Sequence, residues 1–417
     1  MSFPEIKKVK SINFPRVKQT NINSLPFYYL DGLEQPIIKI EVIYNAGESY
    51  SENPLLAILT NRMLTEGTKT YTSKEFYEKL DFIAAEINTT TFFENSSISL
   101  VCLNKYFKEA IDLLVECINY PRFDENDFKI LKENAYQRFQ IELEKVNILA
   151  RREFFKNLFD DHPYGHILEL QHFNNVNVKQ LKDFFNRLYV ESNAQVYMSG
   201  HIDDETISMI KDNFKMNPAT PHKETIYPIT SNRGKKIYIN KNDAVQSAIR
   251  IGKVIIPRTH PDFIPLSITI FALGGYFGSR LMKRLREEKG YTYGIYSFVF
   301  SHKNTNVMTI FTEVNTETTY EAIKCIYEEI DKLCQEPISE LELENIKSYL
   351  IGQFLRSLDG PINSIEVFKD LNQSGLDFDF YEKYLNCLLN ISPETILQMS
   401  QRYFSGDYVE VVVGKLN

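Results

Sequence analysis

The sequence contains no apolar run that approaches the ~20 residues of a membrane-spanning helix. Its N-terminal segment, MSFPEIKKVKSINFP, is interrupted by prolines and lacks the apolar core of about 7–15 residues that a secretory signal needs. We therefore expect a protein that makes no contact with membranes and remains in the cytoplasm.

Cysteine is scarce and shows no pattern. The five cysteines form no Cys-x-x-Cys pair, and an odd number cannot pair completely. Such cysteines are typical of reduced, structural thiols in a cytosolic protein and exclude a disulfide framework. They are Cys102, Cys117, Cys325, Cys334 and Cys387.

Positive charge is also in deficit. The chain has 47 lysines and arginines against 55 aspartates and glutamates, which gives a formal net charge of −8. A protein that follows a phosphate backbone needs clustered basic residues, and no basic stripe is present. We therefore expect no nucleic-acid partner.

What the sequence does contain is one structural unit that occurs twice. Its 417 residues exceed the ~250 residues at which single domains stop growing. Val178–Ile202 and Ile391–Leu416 each read as an amphipathic helix, a break, an alternating strand and a glycine. Ser99–Phe139 and Thr309–Phe354 each read as a strand, a helix, a short proline-containing break and a long helix. This order of elements predicts two homologous domains.

A linker separates the two predicted domains. Met216–Lys236 is rich in proline, threonine, serine and asparagine and has no apolar period. We place an N-terminal domain at residues 1–215, the linker at 216–236 and a C-terminal domain at 237–417.

The predicted fold class is α+β. Each domain opens with an alternating strand, Ile37–Tyr44 or Ala248–Ile255. Strands and long helices are mixed rather than strictly alternating, which favours mostly antiparallel sheets with long helices on one face.

The most informative segment is Gly274–Tyr293, GGYFGSRLMKRLREEKGYTY. It predicts a helix over Ser279–Glu288, a stop at Lys289-Gly290 and a strand over Tyr293–Phe300. Arg286 and Tyr293 flank this corner and could converge on one point.

An arginine and a phenol are two donors suited to a carbonyl oxygen that becomes negative when an amide is attacked. The alternative is that Arg286 pairs with Glu287 or Glu288 on a solvated helix face and that Tyr293 belongs to the sheet core. Spacing alone leaves both interpretations open.

This segment resembles the second-domain motif of the pitrilysin-type metallopeptidases, the insulinase and mitochondrial-processing-peptidase-like family. The duplicated architecture and the turn His162-Pro163-Tyr164-Gly165 are similar to that family as well. The resemblance implies that Arg286 and Tyr293 bind the substrate carbonyl. The matching residues are Gly274, Gly275, Ser279, Arg280 and Leu281, followed by Arg286, Glu287, Gly290 and Tyr293.

The zinc motif of that family is missing. The resemblance implies a His-x-x-Glu-His helix in the first domain, with a further glutamate in a later helix. Aligned on Met63-Leu64 and Gly67-Thr68, the histidine positions hold Ile58 and Arg62, and the general-base position holds Asn61. The third ligand position falls at Gln137 or Arg138, in the predicted helix Glu125–Glu144. We therefore expect no zinc, and no other cofactor, on this chain.

The histidines offer no substitute metal site. His162, His166 and His172 lie close together in the sequence, but no cysteine or glutamate pair at helical spacing completes a coordination shell. The other histidines stand alone, which is typical of surface positions or of rings satisfied by a neighbour. They are His201, His222, His260 and His302.

Two functions are consistent with the sequence. The first is the non-zinc subunit of a heterodimeric metallopeptidase, in which a zinc-bearing partner of the same family cleaves unfolded peptides held by strand addition at a sheet edge. This chain would contribute Arg286, Tyr293 and half of the peptide chamber. The alternative is a non-catalytic peptide-binding or structural assembly homodimer of the same fold.

Overall fold

The computed structural model describes residue 9 and residues 12–32, 35–216 and 227–415. The described chain forms two β-sheets, one in the N-terminal half, up to residue 216, and one in the C-terminal half, from residue 227. Residues 217–226 of the predicted linker, which include His222, lie outside the described residues.

Six strands form the sheet of the N-terminal half: β1 (Lys18–Ile22), β2 (Leu25–Asp31), β3 (Ile37–Tyr44), β4 (Glu86–Thr91), β5 (Ser96–Leu103) and β6 (Ala194–Gly200). Their order across the sheet is β1-β2-β6-β3-β5-β4. Neighbouring strands are antiparallel, except that β2 and β6 are parallel.

The described helices of this half are α1 (Leu55–Met63), α2 (Ser73–Phe82), α3 (Phe107–Asn119), α4 (Glu125–Leu143), α5 (Val146–Phe159), α6 (Val178–Leu188) and α7 (Asp204–Asn213). Short 3-10 turns connect several of them, among them Glu48–Tyr50 and Pro163–Gly165.

The sheet of the C-terminal half contains β7 (Lys236–Asn240), β8 (Gln246–Ile255), β9 (Ile295–Ser301), β10 (Asn306–Asn315) and β11 (Val409–Gly414). Their order is β7-β11-β8-β10-β9, with β7 and β11 parallel and the other pairs antiparallel.

The described helices of this half are α8 (Phe263–Gly274), a π-helix (Met282–Glu288), α9 (Thr319–Gln335), α10 (Glu340–Ser357), α11 (Gly360–Gln373), α12 (Asp379–Asn390) and α13 (Pro393–Tyr403).

The predicted fold class is confirmed, since both sheets are mostly antiparallel and long helices cover them. The repeated ends are present as α6 followed by β6 and α13 followed by β11. Asn177 begins α6 by accepting a hydrogen bond from the amide of Gln180, and Ser392 begins α13 by accepting one from the amide of Thr395. Such caps satisfy amides that lack a partner in the first helical turn.

A close backbone approach explains the glycine at the end of each repeat. Gly200 has φ +135°, and a Cβ there would lie 2.1 Å from the carbonyl oxygen of Ile37. A Cβ on Gly414 would lie 2.3 Å from the hydroxyl of Ser247. Only glycine therefore fits at either strand end.

The halves do not open on the strands that we predicted. β1 and β2 precede Ile37–Tyr44, and β7 precedes the second predicted strand, which itself begins at Gln246. β1 is a mostly polar edge strand, and Pro26 in β2 argues against a strand on sequence grounds. β7 starts at Lys236, the last residue of the predicted linker.

Helix α5 of the N-terminal half packs on the sheet of the C-terminal half. Its Phe154, Phe155 and Leu158 join Val409 and Val411 of β11 in one buried cluster. The opposite face of this sheet carries the C-terminal helices, so our prediction of helices on one face only was wrong. Local periodicity shows that α5 has an apolar side but not which sheet that side will cover.

Helix α11 makes the reciprocal contact. Its Ile365 and Phe368 cluster with Tyr28 and Tyr197 on the outer face of the first sheet. Each half therefore packs against a helix of the other half.

The five cysteines are free thiols, and Cys102, Cys117 and Cys325 are buried. Within the described residues, no helix is both long enough and apolar enough to span a bilayer.

Candidate functional site

Helix α1 carries the positions at which the family resemblance implies zinc ligands. Asn61 is buried, and its side-chain amide donates to the carbonyl oxygens of Thr90 (2.9 Å) and Ser97 (3.1 Å). These bonds fasten α1 to β4 and β5. The residue at the general-base position therefore has a structural role in this chain.

The other positions of the motif do not fit a zinc ion. Ile58 has no donor atom, and Arg62 is a cation; both are partly buried on α1. Gln137 and Arg138 are exposed on α4. Zinc requires cysteine, histidine or carboxylate ligands, and catalytic sites use three of them. In the part of the chain that the structure describes, no group of three or more such side chains is arranged to hold a metal.

Two of the neighbouring histidines, His162 and His172, close turns. His162 Nδ1 accepts from the amide of Tyr164 (3.1 Å), and His172 Nδ1 accepts from the amide of Glu169 (3.0 Å). Burial lowers the pKa of both imidazoles, which favours their neutral forms.

For a histidine that stands alone in the sequence we expected either a surface position or a ring satisfied by a neighbour. His302 does not take the surface position, because it is buried. Its ring stacks on Tyr164 with centroids 4.0 Å apart, and Nδ1 lies 3.5 Å from Glu94 Oε1. Burial opposes the charge of Glu94, but His302 and the amide of Lys303 lower the pKa of this carboxyl overall. Because Glu94 follows β4 and His302 follows β9, this contact joins the two halves.

The glycine-rich segment forms a tight turn after α8. A Cβ on Gly275 would lie 2.2 Å from the ring of Phe271, so a side chain is excluded there. Tyr276 stacks on Phe271 with centroids 5.3 Å apart and planes 5° apart. The amide of Ser279 donates to the carbonyl of Tyr276 and closes the turn. Phe277 lies on the outside of the turn, 58% exposed.

The helix that we predicted over Ser279–Glu288 is present, but Met282–Glu288 form a π-helix. π-Helices are rare in proteins, and those that do occur often lie at functional sites. The predicted stop is also present, since Gly290 has φ +66° after the last turn. The buried side chains of Met282 and Leu285 hold this helix against the core.

Arg286 does not make the helix ion pair that we kept as an alternative. That pair belongs to Arg284, whose guanidinium lies 3.0 Å from Glu288. The Arg286 guanidinium carbon instead lies 4.4 Å from the ring centre of Phe277. Among the described residues, no carboxylate forms an ion pair with Arg286.

Tyr293 is not part of the sheet core. It is 91% exposed, the most exposed large hydrophobic side chain in the described residues. β9 begins only at Ile295, so Tyr293 lies in the bend before the strand. Arg286 and Tyr293 therefore flank one corner, although no hydrogen bond joins them in the described part of the chain.

An apolar groove of ≈ 550 Å³ lies beside β9, the edge strand of the second sheet. Ile270, Val299, Leu350, Phe354 and Tyr384 line it from α8, β9, α10 and α12. The free edge of β9 and this lining are the two elements that strand addition requires.

Three features of this region were not predicted from the sequence: Phe277, the contact between Glu94 and His302, and the groove. Phe277 offered a weak signal, an aromatic residue between the glycines of a turn. The other two depend on distant parts of the chain and left no local signal.

Comparisons with known proteins agree with this architecture. Residues 35–169 match the family model described as Insulinase (Peptidase family M16), and residues 175–350 match the model described as Peptidase M16 inactive domain. The chain is 23% identical over 391 residues to a protein of Helicobacter pylori named non-peptidase homolog YmxG, covering 91% of this chain and 89% of that protein. It is 23% identical over 354 residues to an uncharacterized zinc protease YmxG of Bacillus subtilis, covering 84% and 86%.

Solved structures share the fold. A peptidase M16 inactive domain from Pseudomonas fluorescens superposes with a TM-score of 0.89 at 20% identity, over 96% of this chain and 98% of that chain. A protease from Helicobacter pylori superposes with a TM-score of 0.88 at 17% identity, over 96% of this chain and all of that chain.

Proposed function

Because the chain belongs to the insulinase (M16) peptidase family and carries no His-x-x-Glu-His motif, we propose that it is the zinc-free subunit of a two-chain metallopeptidase. The zinc-bearing partner would be a second protein of this family. This chain would contribute Arg286, Tyr293 and half of the chamber that holds the peptide.

The chain itself is an M16 homologue of the inactive type. Its second matched region is the inactive domain, and its zinc-ligand positions hold Ile58, Asn61 and Arg62. The side chain of Asn61 donates hydrogen bonds that join α1 to the first sheet. Hydrolysis in the proposed complex therefore depends on the partner for its metal and its general base.

The observation that carries the proposal is that the side chains of Arg286 and Tyr293 are available to bind a group from another molecule. Arg286 forms no ion pair with a carboxylate among the described residues, and Tyr293 is 91% exposed. Both side chains can thus donate to a group outside this chain. In the proposed complex they donate to the substrate carbonyl oxygen as it becomes negative, which stabilises the tetrahedral intermediate.

The substrate class would be unfolded peptides in extended conformation. Main-chain hydrogen bonds to a sheet edge bind such peptides with little regard to sequence, and adjacent pockets select side chains. The free edges at β4 and β9 and the groove beside β9 support this assignment. The five free cysteines are consistent with the cytoplasm as the compartment in which we expect the complex.

A second candidate is a homodimeric peptide-binding protein that takes no part in catalysis. The apolar groove beside β9 favours it, because this groove would bind a peptide without any contribution from Arg286. The two candidates differ in whether hydrolysis depends on a second chain.

The decisive experiment is purification of this chain from its native extract, followed by measurement of zinc by mass spectrometry and of hydrolysis of a quenched fluorescent peptide. The proposal expects a second chain that carries His-x-x-Glu-His, about one zinc per pair, and activity only when both chains are combined. A metal-free, inert homodimer would favour the second candidate. Equal activity of the partner alone would contradict the contribution of this chain.

A further inference from the structure

We propose that Phe277 is a positioning residue for Arg286, and that its ring holds the guanidinium at the corner beside Tyr293 while leaving the N–H groups free to donate. The inference rests on the proposed function of Arg286. It adds a residue that does not touch the substrate.

The geometry is that of a cation–π contact. The Arg286 guanidinium carbon lies 4.4 Å from the ring centre of Phe277, well inside the ~6 Å at which such contacts form. Phe277 is 58% exposed, so burial of its ring contributes little to the core. Among the described residues, no other charged group lies over this ring.

The backbone fixes the ring in place. The preceding residue, Tyr276, stacks on Phe271 and makes a tilted contact with Tyr349, with both centroid distances at 5.3 Å. Gly275 permits this stack because a Cβ would collide with Phe271. With Tyr276 held on the inner side of the turn, Phe277 is directed outward, toward the π-helix that carries Arg286.

The neighbouring arginines show what is distinctive about this arrangement. Arg280 makes two hydrogen bonds to Glu342, at 2.8 and 3.1 Å, and Arg284 pairs with Glu288. A carboxylate neutralises the cation and occupies its N–H groups. An aromatic ring contacts only the face of the guanidinium, so the charge and the N–H groups in its plane remain available for a developing oxyanion.

The first test needs no partner and no activity. Phenylglyoxal modifies accessible arginines, and peptide mass spectrometry gives the rate at Arg286. We expect Phe277→Leu to raise this rate by about two- to five-fold, the factor that corresponds to an exposed cation–π contact. Phe277→Tyr keeps an aromatic face and should restore the original rate. Phe82→Leu, at a ring 86% exposed on α2, is the matched control and should change nothing.

The second test uses the two-chain complex. Phe277→Leu should lower kcat by a similar factor of about two to five, with KM unchanged, and Phe277→Tyr should restore it. Melting temperatures of the variants show whether each is folded. A modification rate that is the same in Phe277→Leu and in the original chain would overturn the positioning role.

The two measurements separate this inference from the proposed function. If Arg286→Ala lowers kcat while Phe277→Leu changes neither the modification rate nor kcat, the function stands and Phe277 has no positioning role. If Phe277→Leu raises the modification rate but Arg286→Ala leaves kcat unchanged, Phe277 does position the guanidinium. The proposal that Arg286 contributes to catalysis is then wrong.

Discussion

The ammonium group of Lys369 on α11 lies 2.6 Å from a carboxylate oxygen of Glu41 on β3, and this contact joins the two halves of the chain. Glu366 contacts Lys369 as well and lies 2.6 Å from Lys39 Nζ. The contact of α11 with the first sheet therefore contains four alternating charges. The reciprocal contact of α5 with the second sheet is apolar, so the two crossed helices differ in how they are held.

Replacement of Lys369 by methionine should weaken the α11 contact. It leaves Glu41, which is 8% exposed, facing Glu366 without the cation between them. We expect a loss of about 2–3 kcal/mol in the free energy of unfolding, somewhat below the cost of breaking a fully buried pair because these side chains retain some exposure. Urea unfolding at pH 7 measures it.

Lys108→Met is the matched control. Lys108 pairs with Asp112 at 3.1 Å, but both side chains are more than half exposed, and such pairs contribute about 0.5 kcal/mol or less. Equal effects of the two substitutions would mean that the charges between α11 and the sheet act as an ordinary surface pair.

Glu48 should make stability depend on pH. Burial raises the pKa of this carboxyl to about 7, with Arg151 acting in the opposite direction. The folded state therefore binds the proton more tightly than the unfolded state, and the stability it provides below about pH 4.5 is lost as pH rises through 7. Glu48→Gln should stabilise the protein at pH 8 by up to about 3 kcal/mol and have little effect near pH 4.

Thermal unfolding of both proteins from pH 4 to pH 8 checks this expectation. Glu52→Gln, at an exposed carboxylate four residues later, serves as the control and should give no gain at pH 8. A Glu48→Gln variant with the pH dependence of the original chain would show that Glu48 is ionised in the folded state at neutral pH.

Local patterns predicted the parts of the fold that depend on local physics. β3 has the predicted bounds, Ile37–Tyr44, because alternating β-branched residues indicate a strand without outside information. α6 and α13 were predicted because each shows a helical apolar period. The crossed packing of α5 and α11 was missed because a helix's apolar side does not identify its partner.

The residues of the candidate site were predicted from the family resemblance, and their roles stay predictions; their arrangement could not be predicted from the sequence. The motif pointed to Arg286 and Tyr293, and alignment with the family motif placed Ile58 and Arg62 at the histidine positions. The contact between Arg286 and Phe277 was not predictable, because the two residues are nine positions apart and meet only through the turn and the π-helix.

Restoring part of the zinc motif should not restore zinc binding. The triple variant Ile58→His, Asn61→Glu, Arg62→His supplies two ligands and a base, whereas a catalytic zinc needs three protein ligands. We expect no stoichiometric zinc by calorimetry unless Gln137 or Arg138 is also replaced by glutamate.

Asn61→Glu alone is the necessary control, because it removes the amide that donates to Thr90 and Ser97. Loss of these buried hydrogen bonds should cost about 1–3 kcal/mol, and zinc titrations are informative only for variants that remain folded. Tight zinc uptake by the triple variant would show that a third ligand exists that the described residues do not reveal.

The proposed catalytic contribution predicts that Arg286→Ala and Tyr293→Phe each lower kcat of the two-chain complex. Loss of one oxyanion donor typically costs about 10²–10³ in kcat, far more than the few-fold effect of a displaced guanidinium. Size-exclusion chromatography should show an unchanged complex, because Tyr293 is 91% exposed and Arg286 makes no ion pair in the described part of the chain.

Tyr320→Phe removes the hydroxyl of another exposed tyrosine, on α9 and outside the proposed site, and should leave kcat unchanged. The comparison matters because loss of a hydroxyl alone is a mild change; only a hydroxyl that meets the developing charge should produce a large fall in rate. If neither Tyr293→Phe nor Arg286→Ala changes kcat, as expected for Tyr320→Phe, the exposed corner does not contribute to hydrolysis. Peptide binding in the groove beside β9 then becomes the better explanation of the function of this chain.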